Sequence, residues 1–394
     1  MINIIDKTKC CGCAACEQIC PRSCIKMVAD EQGFLYPSVN LECCVDCGLC
    51  EKKCPVLNPF DALECLPSSY AGRVSDENIR KGSSSGGVFT VIATEILNKG
   101  GYVFGACFND DWTVSHKCIT NISELYKLRG SKYVQSEIGS SYKEAKKYLK
   151  DGKWVLFSGT PCQIAGLNHF LGRVYSTLLT VDVVCHSAPS PLVWDRYLAS
   201  LMAKNNALNK SEISITFRNK ENGWHNYGLL IKDNTGDIVN ESSWYNNYMQ
   251  GFLQDLYTRP SCSFCPARQY RSHSDIMLAD FWGVEKYHPE WDDNRGLSLI
   301  LLKTEKARLF FDSIATQLSL FDKIPYSEVE DRGLHAPIME NTAPHPLRSY
   351  FWKRVNKDNI NVLISRCLRI GNYYKKSIEG VKNLIRPLWK ILKK

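Results

Sequence analysis

The sequence predicts a mixed body of helices and strands (α/β, with α+β mixing) that follows a small cysteine-rich domain at the N-terminus. Eleven of the nineteen cysteines lie within residues 1–60, and strand-like and helix-like segments alternate from Tyr70 onward. A chain of 394 residues is also long for one small core, so we expect a metal-binding module beside one or two larger units.

The cysteines of the N-terminal domain form a repeat. The pattern C-x-x-C-x-x-C-x-x-x-C-P occurs twice, at Cys10, Cys13, Cys16, Cys20 and at Cys44, Cys47, Cys50, Cys54. Three cysteines at this spacing surround one 4Fe-4S cluster, and the fourth binds the other cluster. We therefore predict a bacterial-type ferredoxin domain over residues 1–60 with two clusters, in which Cys54 completes the first ligand set and Cys20 the second. A zinc site would leave the third cysteine and the Cys-Pro step unexplained.

The body shows the element order of a partly parallel sheet. Apolar periodicity predicts helices over residues 84–98, 162–171 and 191–203, and strands over residues 101–108, 154–157 and 178–184. Strands that are joined through helices are typical of an α/β unit.

Two loops have groups that suit a phosphate-bearing cofactor. One is formed by Ser84, Ser85, Gly86 and Gly87 near a predicted helix start, and the other by Gly159 and Thr160 between a strand and a helix. Backbone N–H groups and the helix dipole favour an anion at such places. Neither loop matches a Walker or dinucleotide-binding motif, and serines before a helix also act as plain N-caps, so both interpretations stay open.

Four body cysteines fall at predicted element ends: Cys162, Cys185, Cys262 and Cys265. The ends of neighbouring strands converge in a sheet, so these thiols could form a third metal site. A C-x-x-C pair with two distant cysteines suits a 4Fe-4S cluster and zinc equally well, and buried free thiols are the third alternative.

Charge and hydropathy argue against two classes of protein. Residues 366–394 contain nine Lys or Arg and one Glu, which accounts for the whole formal charge of +8. The neutral remainder argues against nucleic-acid binding, and no apolar run approaches the roughly 20 residues of a membrane-spanning helix. Because the N-terminus lacks a signal-peptide core and the cysteines suit a reducing compartment, we expect a cytoplasmic location.

Residues 326–394 are predicted to form a basic helical tail. Its apolar residues recur at steps of three and four among lysines and arginines: Ile378, Val381, Ile385, Leu388 and Leu392. This pattern suits an anionic membrane surface or an acidic partner, although Pro387 interrupts it and a helix that folds back onto the body is the simpler interpretation.

Six motifs of the body occur in a fixed order. They are RKGSSSGG (80–87), GACF (105–108), RGSKYVQS (129–136), SGTPCQ (158–163), Cys185-His186, and RPSCSFCPARQYRSHSDIMLADFWG (259–283). Their sequences and order resemble those of the coenzyme F420 hydrogenase/dehydrogenase beta-subunit family, in which many members carry a ferredoxin repeat at the same end. The resemblance divides the body into an N-terminal part, residues 68–150, and a C-terminal flavin- and cluster-binding part, residues 151–325.

The resemblance implies an FAD and a third 4Fe-4S cluster. The four body cysteines would hold that cluster, and the FAD would be lined by Ser84, Ser85, Gly86, Gly87, Lys132, Tyr133, Gln135, Gly159, Thr160 and Gln163. His186 and His225 are the catalytic candidates, beside Asp275 and Asp280, and each of the four has a purely structural alternative in hydrogen bonding.

The implied function is that of an iron-sulfur flavoprotein oxidoreductase. It would pass electrons between a soluble carrier or redox partner protein, the clusters, the FAD and a small organic substrate. The alternative is an electron-transfer subunit that feeds a separate enzyme. A surface-polysaccharide pathway is one setting for it, because similar stand-alone bacterial members are associated with such pathways.

Overall fold

The computed structural model describes residues 1–204, 212–331 and 335–371. Within these ranges the strands are β1 (Ile25–Ala29), β2 (Leu35–Val39), β3 (Ser68–Arg73), β4 (Tyr102–Phe108), β5 (Val114–Ile119), β6 (Val155–Gly159), β7 (Leu178–Val183), β8 (Ser214–Asn219), β9 (Gly228–Asp233), β10 (Gly236–Ser242), β11 (Ile276–Asp280), β12 (Ser298–Leu302) and β13 (Leu320–Ile324).

Eight strands form one sheet in the order β13-β3-β12-β11-β7-β6-β4-β5. The centre is parallel, because β4, β6, β7 and β11 all run in one direction. The outer pairs are antiparallel. All five residues of β12 are buried, as expected of a strand covered on both faces. The predicted mixed α/β architecture is confirmed, and strands from residues 68–119 and 155–324 share this sheet.

The α-helices surround the sheets. They are α1 (Ala15–Ile19), α2 (Leu49–Lys52), α3 (Glu77–Lys81), α4 (Val88–Asn98), α5 (Leu125–Leu128), α6 (Ser141–Lys150), α7 (Pro161–Leu171), α8 (Pro191–Lys204), α9 (Asn247–Leu253), α10 (Glu305–Ile314), α11 (Tyr326–Asp331), α12 (His335–Met339) and α13 (Arg348–Arg354), and residues 360–371 are also helical.

One predicted helix begins later than expected. The helix expected over residues 84–98 begins at Val88, because Gly87 has a φ of +87° and the serine-glycine stretch before it is a loop. A Cβ on Gly86 would lie 2.4 Å from the carbonyl oxygen of Gly72, so this loop packs tightly on β3. The ends of the other predicted body elements differ from the observed ones by at most two residues.

A second layer is built on the antiparallel sheet β8–β9–β10. Its core joins aromatic residues of α8, β8 and α9, among them Trp194, Phe217 and Tyr248, to apolar residues of α13 and of residues 360–368. In this way the described C-terminal helices pack against the middle of the chain.

The N-terminal module packs directly on the body. Its hairpin β1–β2 separates the two cysteine motifs, and α1 lies against α6 and α7. The Gln18 side chain is buried, and its Oε1 accepts from the backbone N–H groups of Tyr142 (3.0 Å) and Lys143 (3.1 Å) at the start of α6. A Cβ on Gly166 would lie 2.8 Å from the Cβ of Cys13, so α7 needs a glycine where the module approaches.

The described residues include no helix that is both long and apolar enough to cross a membrane. The amphipathic positions of the predicted basic tail, from Ile378 to Leu392, lie outside the described residues.

Candidate functional site

The eight repeat cysteines gather around two cavities. The first cavity is lined by Cys10, Cys13, Cys16 and Cys54, with Cys11 beside them. The second is lined by Cys20, Cys44, Cys47 and Cys50, with Cys24 beside them. The fourth cysteine of each motif therefore reaches the other motif's cavity, and each donor set fits a 4Fe-4S cluster.

Left-handed backbone turns shape both ligand loops. Gly12 and Ala14 have φ values of +71° and +59°, and the corresponding Asp46 and Gly48 have +47° and +69°. Burial, and then the neighbouring Cys10 and Cys54, raise the pKa of the Cys16 thiol. A bound metal ion deprotonates such a thiol, so the raised pKa of a buried cysteine does not prevent it from acting as a metal ligand.

The four body thiols converge at the carboxyl ends of neighbouring parallel strands. Cys162 follows β6 and Cys185 follows β7, while the short 3₁₀ turn Pro260–Phe264 brings in Cys262 and Cys265. The backbone N–H of Ala188 donates to the Cys262 thiol at 3.3 Å.

Each of these four thiols is close enough to the others to affect their ionisation. Burial, followed by the charges of Cys262, Cys162 and Cys265, raises the pKa of Cys185 well above its ordinary value. Burial and Cys265, with a smaller contribution from Cys162, raise the pKa of Cys262 to about 12. Four converging thiols are the donor set of a 4Fe-4S cluster and of structural zinc.

Cys11 lies between the first cavity and the body thiols. Its thiol is close enough to Cys13 on one side and to Cys162 on the other to affect the ionisation of both. The contact with Cys13 raises the pKa of Cys11 well above its ordinary value, and the contact with Cys11 does the same for Cys162. Nothing in the local sequence marks Cys11, because its position depends on how the module docks.

The serine-glycine loop, residues 84–87, is held in place by hydrogen bonds to neighbouring parts of the body. The Ser85 hydroxyl donates to the carbonyl of Leu297 at 2.5 Å, and the Gly86 N–H donates to the Ser298 hydroxyl at 3.0 Å. The Ser84 hydroxyl contacts the hydroxyl of Ser131 at 2.8 Å and accepts from its N–H. The N-terminal end of this loop, at Ser84, therefore lies next to the segment that carries Lys132 and Tyr133.

A buried arginine beside this loop carries no local sequence signal. Arg218 on β8 is 4% exposed and donates two hydrogen bonds to Asp280, at 2.7 and 2.8 Å. It also donates to the carbonyl of Ser84 at 2.9 Å, and its guanidinium carbon lies 4.0 Å from the ring centre of Tyr227. The ring of Trp282 lies on the same guanidinium, at 5.6 Å.

Two lysines with lowered pKa values lie near Arg218 and the serine-glycine loop. Lys220 donates to the carbonyls of Arg80 (2.7 Å) and Ser85 (3.2 Å), and burial lowers its pKa to about 7. Lys132 donates to the carbonyls of Lys127 and Arg129, and burial lowers its pKa to about 8. Because these acceptors are carbonyls rather than carboxylates, an anionic ligand would favour the charged form of both lysines.

The remaining residues predicted to line an FAD lie toward the thiols. Gln135 donates to the carbonyl of Cys11 at 3.2 Å, and the Thr160 hydroxyl lies 3.3 Å from the Cys162 thiol. The Gln163 side chain accepts from the N–H of Thr160 (2.9 Å) and donates to the Ser136 hydroxyl (2.9 Å), so it caps α7. Gly159 ends β6 just before this turn.

The two catalytic candidates lie in different parts of the body, one beside the thiols and one beside the serine-glycine loop. His186 follows Cys185, and its Nε2 lies 3.3 Å from Asp255. The Nε2 of His225 lies 2.8 Å from Asp292, and its ring lies against Trp224 and Trp282 near the serine-glycine loop.

The two aspartates weighed with them have structural partners. Asp275 accepts from the N–H and the hydroxyl of Thr180, both at 2.9 Å. Asp280 is paired with Arg218 and also accepts from the indole N–H of Trp224 at 2.8 Å. Their hydrogen bonds fit the structural alternative, and Asp280 serves to hold Arg218 beside the loop.

Two curated proteins match short stretches of the chain. An uncharacterized ferredoxin of Methanocaldococcus jannaschii is 36% identical over 52 residues, which are 13% of this chain and 66% of that protein. The delta subunit of the NADH-dependent phenylglyoxylate dehydrogenase of Aromatoleum evansii is 35% identical over 55 residues, 14% of this chain and 54% of that protein. The chain thus covers less than two thirds of either relative's length.

A solved structure matches more of the chain at low identity. It is the xenon-derivatised F420-reducing NiFe hydrogenase complex of Methanosarcina barkeri. The match to one chain of that complex covers 82% of this chain and 94% of that chain. The sequence identity is 16% and the TM-score is 0.45.

Two family models match the body in succession. Residues 69–143 match the N-terminal model of the coenzyme F420 hydrogenase/dehydrogenase beta subunit, and residues 152–322 match the C-terminal model of the same subunit. Together they span more than half of the chain and contain the serine-glycine loop, the four body cysteines and Arg218. The chain therefore belongs to the coenzyme F420 hydrogenase/dehydrogenase beta-subunit family.

Proposed function

We propose that this chain is an iron-sulfur flavoprotein oxidoreductase that moves electrons between a soluble carrier and a small organic substrate. Two 4Fe-4S clusters in the N-terminal module and a third at the body thiols would carry single electrons, and an FAD beside the serine-glycine loop would exchange them for a two-electron hydride transfer.

The observation that carries this proposal is the contact between the two thiol-rich regions. Gly166 of α7 lies so close to Cys13, a ligand candidate of the first cavity, that a Cβ there would be 2.8 Å from the Cβ of Cys13. The Cys11 thiol interacts both with Cys13 and with Cys162, a ligand candidate of the body site. A module that acted as an independent carrier would not need to bury its ligand loop against the body. The contact supports a continuous electron path from the module into the body, the part of the chain that the family models match.

The residues around Arg218 suit a flavin dinucleotide. Lys132 and Lys220 would bind an anionic phosphate group, and the aromatic rings of Tyr227 and Trp282, which already pack on the Arg218 guanidinium, would exclude water. His225 is 38% exposed and hydrogen-bonded to Asp292, which makes it the candidate acid-base group on the substrate side. His186, beside the body thiols, would take this role only if the substrate entered there.

The first experiment is anaerobic purification followed by quantification of iron, sulfide, zinc and flavin per chain. About twelve irons and one FAD are expected from three clusters and a flavin. About eight irons without flavin, or zinc at the body thiols, would contradict the proposal.

A lysine variant tests the flavin site separately. In Lys220→Met we expect flavin content to fall while iron stays near the wild-type value, because Lys220 contacts the loop and not the cysteines. The matched control is Lys232→Met, which removes a partly exposed lysine of β9 and should keep both flavin and iron. Equal flavin content in the two variants would place the cofactor elsewhere.

A second candidate function is that of an electron-transfer subunit for a separate enzyme, for example in a surface-polysaccharide pathway. Trp244 and Tyr245 are 66% and 83% exposed, and the adjoining Ser243 donates its N–H to the carbonyl of Tyr227. Exposed aromatic residues beside the flavin candidate site suit a docking protein. Substrate turnover by the purified chain alone would favour the first function, and turnover only with an added partner the second.

We also propose a cytoplasmic location. The nineteen cysteines all lie in the described residues, and none is paired in a disulfide, which suits a reducing compartment.

A further inference from the structure

The contact between the module and the body contains a buried cation. Arg259 is 1% exposed, and it is the residue at which the turn that carries Cys262 begins. Its guanidinium donates to the carbonyls of Cys10 (2.8 Å) and Leu35 (2.9 Å), to the amide oxygen of Gln135 (3.1 Å), and to the Cys10 thiol (3.6 Å). In the described part of the chain these partners include no carboxylate.

A buried charge without an opposite charge is costly. Aromatic rings supply part of the compensation, since the guanidinium carbon lies 4.3 Å from the ring centre of Tyr36. Thiolate-bound clusters at the first cavity and at the body thiols would supply the larger compensation, because each would carry negative charge close to Arg259. Cys10 belongs to the first cavity, and on the body side the backbone N–H of Cys262 donates to the carbonyl of Arg259 at 3.0 Å, at the start of the turn that carries Cys262 and Cys265.

The ligand loop is shaped for this arginine. A Cβ on Gly12 would lie 2.7 Å from Nη1 of Arg259 and 2.9 Å from its Cζ. The corresponding residue of the second motif is Asp46, which also has a positive φ, so this backbone conformation does not by itself require glycine. The glycine is needed because the guanidinium packs against the loop.

We propose that Arg259 is a shared counter-cation of the first module cluster and of the body cluster, and that it couples the reduction potentials of the two. This inference rests on the proposed function, since it requires both clusters. A positive charge between two anionic groups stabilises the reduced, more negative state of each.

The coupling involves electrons only. If one electron passed from a cluster at the first cavity to a cluster at the body thiols, the first would be oxidised and the second reduced, and the total charge around Arg259 would be unchanged. No bond is made or broken, and no proton moves, because an arginine stays protonated at any physiological pH.

Arg268 provides a matched control for the body cluster alone. It is also buried, at 7% exposed, and it donates to the carbonyls of Cys185 (3.0 Å) and His186 (2.9 Å). Its charge acts on Cys185 and Cys265. Removal of this charge should therefore affect the body cluster and leave the first module cluster unchanged.

The test is a redox titration of the full-length holoprotein followed by electron paramagnetic resonance, with iron counted in every sample. The proteins are the wild type, Arg259→Gln, Arg259→Lys and Arg268→Gln, and a Cys185→Ala variant assigns the body-cluster signal. In Arg259→Gln we expect the equilibrium constant for one-electron reduction to fall about tenfold at both clusters, a shift of about 59 mV to more negative potential. Arg259→Lys keeps the charge and should keep both potentials, and Arg268→Gln should shift only the body cluster.

The outcomes separate this inference from the proposed function. A wild type with about eight irons overturns the proposed function. A fully loaded Arg259→Gln whose two potentials are unchanged, or in which only one moves, overturns the shared counter-cation alone. If Arg259→Gln loses its clusters, Arg259→Lys decides: unchanged potentials support the inference, and lowered potentials at both clusters overturn it, because the charge has been kept.

Discussion

The two thiol-rich regions of this protein are assembled in different ways. The module draws all eight repeat cysteines from one short stretch, Cys10 to Cys54, and its left-handed turns aim three of them at each cavity. The body site draws its thiols from the ends of β6 and β7 and from a turn more than seventy residues later. The first region depends on local backbone geometry, and the second depends on the order of strands in the sheet.

The largest expected effect comes from removal of one body thiol. In Cys185→Ala we expect the iron content to fall by about four per chain, because a cluster with three thiolates is lost, while the module keeps about eight. Cys367→Ala, which removes a buried thiol of the second core, is the control and should keep all the iron. Loss of all the iron from Cys185→Ala would show that the module cannot keep its clusters without the body site, and that the two regions do not assemble independently.

The next effect concerns the sheet that positions the body thiols. Asp182 of β7 and Lys303 are both fully buried, 3.3 Å apart, and the Ser272 hydroxyl donates to the same carboxylate. Asp182→Asn would leave Lys303 buried without its counter-charge, and we expect a loss of about 3–5 kcal/mol in the free energy of unfolding.

Denaturant unfolding with iron release measures this effect. Asp237→Asn, an exposed position on β10, is the control, for which we expect a change within about 0.5 kcal/mol. The body iron of Asp182→Asn should be released at lower denaturant than the module iron. Simultaneous release would mean that the module also depends on the sheet.

We expect low pH to destabilise the fold of the body through protonation of His116. The neutral ring accepts from the Ser136 hydroxyl and donates to the carbonyl of Ser158, which lies two residues before Thr160, and burial lowers the pKa of His116 to about 4. A folded-state pKa below the ordinary 6.5 means that the unfolded chain binds the proton more readily. Stability is therefore present above about pH 6.5 and falls by about 3 kcal/mol as the pH drops toward 4.

Unfolding free energies across this pH range test the assignment. His116→Asn, which cannot titrate, should flatten the acid side of the profile. An unchanged slope in this variant would assign the acid sensitivity to other groups.

The smallest expected effect concerns the docking of the module. Gln18→Ala removes the acceptor of two backbone N–H groups at the start of α6, and we expect a loss of about 1–3 kcal/mol. Limited proteolysis should then cleave between module and body more readily. Lys26→Ala, an exposed change on β1, should leave the cleavage pattern of the wild type, and equal patterns in both variants would rule out a role for this contact.

The sequence predicted the strands and helices of the body well, because apolar periodicity reports which residues face a core. It also marked the serine-glycine loop, but the helix start was misplaced, since the positive φ of Gly87 and the packing of Gly86 on Gly72 are not visible in a pattern. Arg218 carried no signal either. Its partner Asp280 lies 62 residues away, so only the pairing of the two across the fold reveals it.

By itself, the sequence determined how the repeat cysteines of the module are grouped into two sets of four and the family to which the body belongs, because those depend on spacing within short loops and on local motifs. Only the tertiary structure decided that Cys11 joins the module to the body site and that Arg259 lies between them. Arg259 reaches Cys10 across 249 residues. Hydrogen bonds and Coulomb interactions over such separations exist only after the sheet has formed and the module has docked on it.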